Sequence, residues 1–222
     1  MENVKILARK VKNTIERDGI GSVASKTVTY LKNEKERHNL EKNIGKTFKD
    51  VLFINGVNYE DLPHPPRYRV KHQIEQLTLN KVECDEIFYT KLNINLVRMY
   101  RVFVVYRCSY TQELKEFVDR AHSLNKIVLY DIDDLVIDTK YTDLIKYLDT
   151  FSTQDRANYD ESVRNYGRAL KLCDGAITTT ERLAAELKNY VPQVYINRNT
   201  ASLQMVELSE KAYLEESEKE KD

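Results

Sequence analysis

The densest group of reactive side chains in the sequence is Asp131-Ile132-Asp133-Asp134, directly after the apolar run Ile127-Val128-Leu129-Tyr130. Carboxylates two residues apart at a strand end can serve as nucleophile and proton donor, can accept hydroxyl protons from a sugar, or can hold a magnesium ion. Comparable polar groups follow other apolar runs: Asn55-Gly56 after Val51 to Ile54, Arg107 with Ser109 and Tyr110 after Val102 to Tyr106, Thr178-Thr179-Thr180 after Ala176-Ile177, and Asn197-Arg198-Asn199 after Val194 to Ile196. Pro65-Pro66-Arg67-Tyr68-Arg69 opens a helical pattern that puts Val70, Ile74 and Leu77 on one face. Guanidinium forks bind phosphate and carboxylates accept hydroxyl protons. Arg67, Arg69 and Arg107 beside Asp131, Asp133 and Asp134 are therefore a set able to hold a phosphate and sugar hydroxyls.

Each residue also has a plainer reading. Arg107 can pair with Asp131 or Asp133 across adjacent strands, and the threonines can be a strand end followed by a helix cap, Thr178-x-x-Glu181 having capping-box spacing. Arginines in a first helical turn are often simply exposed. His38, His64, His72 and His122 share no metal-ligand spacing, and no metal site is expected.

Such residues must be carried by something. From Val51 onward, short apolar runs near 51–54, 86–89, 102–106, 126–130, 176–178 and 194–196 alternate with helical patterns, including 95–100, 111–124, 141–149, 155–172 and 181–189. Near-continuous apolar strands joined by crossover helices predict an α/β fold: one Rossmann-like domain with a parallel sheet of about six strands and helices on both faces. Ligands of such sheets bind beyond the carboxyl ends of the strands, where these polar groups fall. The organisation expected is a basic amphipathic helical extension over 1–49, the Rossmann-like domain over 50–200, and an acidic C-terminal helix over 201–222.

Charge and composition narrow the function. Thirty-five Lys and Arg balance thirty-five Asp and Glu, so no nucleic-acid partner is expected. The balance conceals a polarity: residues 1–49 hold twelve Lys or Arg against six acids, and residues 203–222 hold seven acids against three Lys. Opposite ends should attract, within a chain or between copies in a homo-oligomer. The basic helices read first as a hairpin over 3–38 packed outside the sheet with its lysines solvated, since no Trp or Phe marks the apolar face, and second as peripheral contact with an anionic membrane. No run approaches a membrane span and the start is not that of a signal peptide, so a cytoplasmic location is expected, at the inner face of the membrane if the basic helices bind it. Cys84, Cys108 and Cys173 are far apart and read as reduced core or strand-end residues. Gly-x-Gly-x-x-Gly is absent after the first strand, which disfavours a dinucleotide-binding dehydrogenase, and no Gly-x-Ser-x-Gly elbow is present.

Two resemblances bear on the aspartates. Tyr130-Asp131-Ile132-Asp133 resembles the first motif of haloacid dehalogenase-like phosphatases, which implies Asp131 as nucleophile, Asp133 as acid/base and a magnesium cofactor. A wider resemblance spans nearly the whole chain. Pro65 to Arg69, Val105-Tyr106-Arg107, Tyr130 to Leu135, Leu172-Cys173-Asp174-Gly175-Ala176-Ile177-Thr178-Thr179-Thr180-Glu181-Arg182-Leu183 and Ile196 to Asn199, in that order, resemble the N-terminal half of bacterial GT-B glycosyltransferases of the family-4 type that build surface polysaccharides. That likeness implies an acceptor-binding half for a glycan or lipid-linked glycan, with Asn55, Arg67, Tyr68, Arg69, Arg107, Thr179, Asn197, Arg198 and Asn199 near the acceptor. Asp131, Asp133 and Asp134 become the catalytic candidates. It also implies no cofactor in this domain, the nucleotide-sugar donor binding mainly in a second domain or partner subunit without which no sugar is transferred. A non-catalytic interaction module is the third reading.

Overall fold

A computed structural model describes residues 48–214 together with residues 28 and 35. The chain divides into two compact units, Met1–Lys46 and Thr47–Asp222. The helical hairpin expected over 3–38 and the acidic end from Glu215 lie outside the described residues.

Runs rich in Val, Ile, Phe and Tyr without a polar break make strands that can be buried on both faces. They form β1 (Lys49–Asn55), β2 (Cys84–Phe88), β3 (Tyr100–Tyr106), β4 (Ile127–Asp131), β5 (Gly175–Thr178) and β6 (Gln193–Ile196). All pair in parallel, in the order β2-β1-β3-β4-β5-β6. The expected Rossmann-like α/β domain is therefore present. From β1 the chain builds outward to β2 on one side and returns to β3 on the other. The order thus reverses between β1 and β3, where an open parallel sheet leaves its ligand crevice. Register aligns Asn55, Tyr106, Asp131 and Ile177 as one row across the carboxyl edge.

Helix α1 has three pieces: His64–Pro66, a π-helical turn Arg67–Lys71, and His72–Leu79. Its prolines suit a helix start, where an N–H would lack a partner anyway. In the π turn the His72 N–H bonds the Arg67 carbonyl, and the wider winding buries the adjacent Arg69 and Val70 together. Val70 packs with Val51, Phe53, Val104 and Tyr106 on one sheet face. On the other, Phe117 of α2 (Gln112–Ser123) meets Phe103 edge-on at 5.0 Å. The remaining helices are α3 (Thr153–Leu170), α4 (Glu181–Leu187) and α5 (Leu203–Leu214). No described helix is long and apolar enough to cross a membrane.

Three local expectations need correction. The stretch 141–149 is two 3-10 turns, Thr139–Leu144 and Lys146–Thr150, because its apolar residues are too scattered to bury a helical stripe and Leu144 and Tyr147 remain exposed. The region 95–100 is likewise a 3-10 turn, Ile94–Arg98, leading directly into β3. The cap of α4 is Thr180, whose hydroxyl accepts from Leu183 N–H at 3.2 Å, whereas Thr178 ends β5 fully buried.

Candidate functional site at the carboxyl edge

The three aspartates have separate fates. Asp131 is the last residue of β4 and wholly buried, and Arg69, also wholly buried, clamps it with two parallel bonds, Nε to Oδ1 and Nη2 to Oδ2, both 2.9 Å. Gln73 adds a third at 3.0 Å. Burial pushes the Asp131 carboxyl up to about 6, with the Arg69 charge opposing. Arg69 Nη1 also donates to the Asn197 carbonyl at 2.6 Å and to Asn199 Oδ1 at 3.2 Å. One side chain thus joins α1, β4 and the segment after β6. His72 Nδ1 at 2.8 Å from the Thr200 carbonyl strengthens the same seam. The expectation that Arg69 receives a ligand phosphate is corrected: the π turn directs it inward, and its donors are occupied by protein. Asp131 is corrected with it, since a carboxylate sealed between a guanidinium and an amide cannot attack a phosphorus atom.

Asp133 and Asp134 lie past the strand end and turn to Arg107, which bonds Asp133 through Nε at 2.9 Å and Nη2 at 2.8 Å and also pairs with Asp134. Of the two pairings open to Arg107, Asp133 is the one made, with Asp134 added, while Asp131 pairs with Arg69 instead. Arg107 has φ 45°, a left-handed conformation a non-glycine residue rarely adopts. Its N–H donates to the Asp131 carbonyl at 3.2 Å. A Cβ on Gly56 would lie 2.3 Å from the Arg107 carbonyl oxygen, so the turns after β1 and β3 touch at the point where strand order reverses. Arg107 and Asp133 are largely covered, but Asp134 is 59% exposed, leaving the outer side of the cluster open.

The other expected site residues are dispersed along this edge. Asn55, buried, donates from Nδ2 to Glu86 Oε1 at 2.9 Å and accepts from Val57 N–H at 2.9 Å, so its amide is spent on the β1 turn. Arg67 is exposed and Tyr68 packs edge-on against His72 at 5.1 Å, both on α1. Thr179 is half-buried ahead of α4, and exposed Arg198 reaches Glu181 at 3.3 Å. Asn197 and Asn199 serve the Arg69 seam.

Sequence reasoning missed Glu86 and Tyr59, which the fold brings beside Asn55: Tyr59 donates to Glu86 Oε1 at 2.8 Å across 27 residues of chain. Their signal was weak, because a lone Glu inside a strand carries no motif. The Tyr106 and Thr178 hydroxyls are buried without a hydrogen-bond partner. Among the described residues no group of three His, Cys, Asp or Glu is placed to hold a metal ion. The cysteines are free, Cys108 and Cys173 buried in the core. A recess of about 230 Å³ is lined by Asp138, Arg164, Arg168, Lys171 and Tyr190. Its arginines bond Glu161 and Asn165, and its Tyr190 hydroxyl donates to Asp138.

What the carboxyl edge offers beside the point of strand reversal is a guanidinium paired with two carboxylates, of which Asp134 is exposed. Such a set can accept and donate to vicinal hydroxyls, and it lacks a free nucleophile. No protein-family model, curated protein or solved structure matches the chain.

Proposed function

We propose that residues 50–200 are the acceptor-binding half of a GT-B-type glycosyltransferase acting in surface polysaccharide or glycoconjugate synthesis. The observation that carries this reading is the Arg107–Asp133–Asp134 cluster, exposed at Asp134, at the reversal point of an all-parallel sheet. Planar carboxylates and a guanidinium suit sugar hydroxyls, and the sheet edge is where such a fold receives ligands. The cluster takes the role that the aspartates and Arg107 share, while Asp131 and Arg69 hold the scaffold.

A transferase of this kind closes a second, donor-binding domain over the first. Supporting such a cover, Leu203, Val206, Leu208 and Tyr213 of α5 and Tyr195 and Ile196 of β6 are exposed. Without such a domain, residues 50–200 bind glycan and transfer nothing from a nucleotide-sugar.

The test is a printed array of hexose, N-acetylhexosamine and uronic-acid oligosaccharides, probed with the full chain and with Arg107→Met. Selective binding by the first and loss by the second is expected. The phosphatase reading predicts magnesium-dependent hydrolysis of an aryl phosphate; with Asp131 sealed by Arg69, none is expected.

A further inference from the structure

We propose that the recess between the last turns of α3 and the segment 137–140 is a phosphate-binding site, taking inorganic phosphate or the phosphate group of a monoester. It is independent of the acceptor site and lies away from the carboxyl edge. Lys171 stands between α3 and β5 and Tyr190 between α4 and β6, where the chain turns back to enter the strands at their amino ends.

The recess is built by close packing. A Cβ on Gly167 of α3 would come within 2.1 Å of the Ile137 carbonyl oxygen, so glycine is what lets this segment lie directly on the helix. Ile137 itself is buried. The next residue, Asp138, accepts from Lys140 N–H at 3.0 Å through Oδ1 and from the Tyr190 hydroxyl at 2.8 Å through Oδ2. Both of its oxygens are thereby committed to protein donors, and Tyr190 is fixed in the lining. Arg164, Arg168 and Lys171, four and then three residues apart, fall on one stripe along the end of α3 and supply the cationic wall.

Charge selects the ligand. Glu161 holds Arg164 Nε at 2.9 Å and Arg168 Nη1 at 3.5 Å, and Arg168 Nη1 also donates to Asn165 Oδ1 at 3.2 Å. Both forks are steadied in this way, while their remaining N–H groups have no protein acceptor among the described residues. Lys171 and Lys140 converge on one ring, 5.6 and 5.3 Å from the centre of Tyr190, and among the described residues neither makes an ion pair. Four cations against Asp138 and Glu161 leave two positive charges unbalanced at one recess. The dipole of α3 explains basic residues at its end, Arg168 and Lys171, but not Lys140, which arrives from the 3-10 turn Thr139–Leu144. Two unbalanced charges with guanidinium and ammonium donors match the charge and acceptor oxygens of a phosphate dianion. A carboxylate, with one charge and two oxygens, matches them less well. The recess of about 230 Å³ has room for a phosphate group and the start of its ester.

The test is a calorimetric titration of inorganic phosphate into the full chain at about 0.15 M sodium chloride, where loose surface attraction is screened. Arg168→Gln, Lys171→Gln and their double variant are compared with Lys211→Gln, a charge control on α5 outside the recess. All three positions are exposed, so every variant should melt with the wild type. Saturable binding by the wild type and by Lys211→Gln, weakened about tenfold by each recess substitution, is expected. A parallel pelleting assay with phosphatidylcholine vesicles containing phosphatidic acid identifies the source of the phosphate. Pelleting that requires Arg168 and Lys171 assigns it to a lipid headgroup; phosphate binding without pelleting assigns it to a soluble ester. Absence of both saturable phosphate binding and recess-dependent pelleting overturns the proposal. So does phosphate affinity that is unchanged in the double variant, or that falls equally in Lys211→Gln.

Discussion

Asp131 and Asp133 are two positions apart, yet one is a sealed structural carboxylate and the other lies past the strand end, paired with Arg107 beside the exposed Asp134. The difference is the partner. Arg69 reaches Asp131 across 62 residues of sequence, and both are withdrawn from water. Breaking such a pair leaves an unpaired buried charge, so Arg69→Met is expected to cost about 3–5 kcal/mol, and adding Asp131→Leu should recover much of it. Urea unfolding of the two single variants and the double variant measures this. The ionisation of Asp131 has a definite sign. Its folded carboxyl titrates near 6, above the ordinary 3.8, so its protonated form favours the folded state. That contribution is fully present below the unfolded value and is lost as pH rises through about 6. Carbon NMR of the Asp131 carboxyl should show its inflection near 6 in the folded chain. The sequence displayed the aspartates and arginines but not their pairing. A π turn, the device that buries Arg69, has no composition signature, and an arginine after two prolines reads equally well as exposed.

Elements were more legible than side-chain partners, because strand identity is written in continuous apolar runs while loop geometry depends on contacts distant in sequence. The six runs became the six strands, whereas 141–149 became two 3-10 turns anchored through Leu148 and Thr142. Capping-box spacing pointed at Thr178, but backbone position decides the cap. Thr180 has extended φ and ψ before α4 and accepts from Leu183 N–H; Thr178 is still in β5. Thr180→Ala should therefore cost about 1 kcal/mol. Thr178→Val, which removes a buried hydroxyl without a partner, should be neutral or stabilising. Thermal or urea midpoints of the two variants distinguish the assignments. Gly56→Ala is expected to destabilise by about 1–3 kcal/mol, since its Cβ would meet the Arg107 carbonyl and spread the β1 and β3 turns.

At the scale of the molecule, the parallel sheet delivers side chains from separate strands to one edge, then divides them. One group locks the scaffold through Arg69, Asp131, Gln73 and the segment 197–200. The other, Arg107 with Asp133 and Asp134, lies past the strand ends with Asp134 exposed. The position of the edge was readable from strand order, as polar residues after each apolar run; the division was not, because burial is a property of the assembled fold. The most direct measurement is an amide NMR titration of the full chain with the oligosaccharide selected on the array. Shifts concentrated at Arg107 to Tyr110 and Ile132 to Leu135 are predicted. Shifts confined to the recess formed by Arg168, Lys171 and Tyr190, or no shifts at the carboxyl edge, would contradict it.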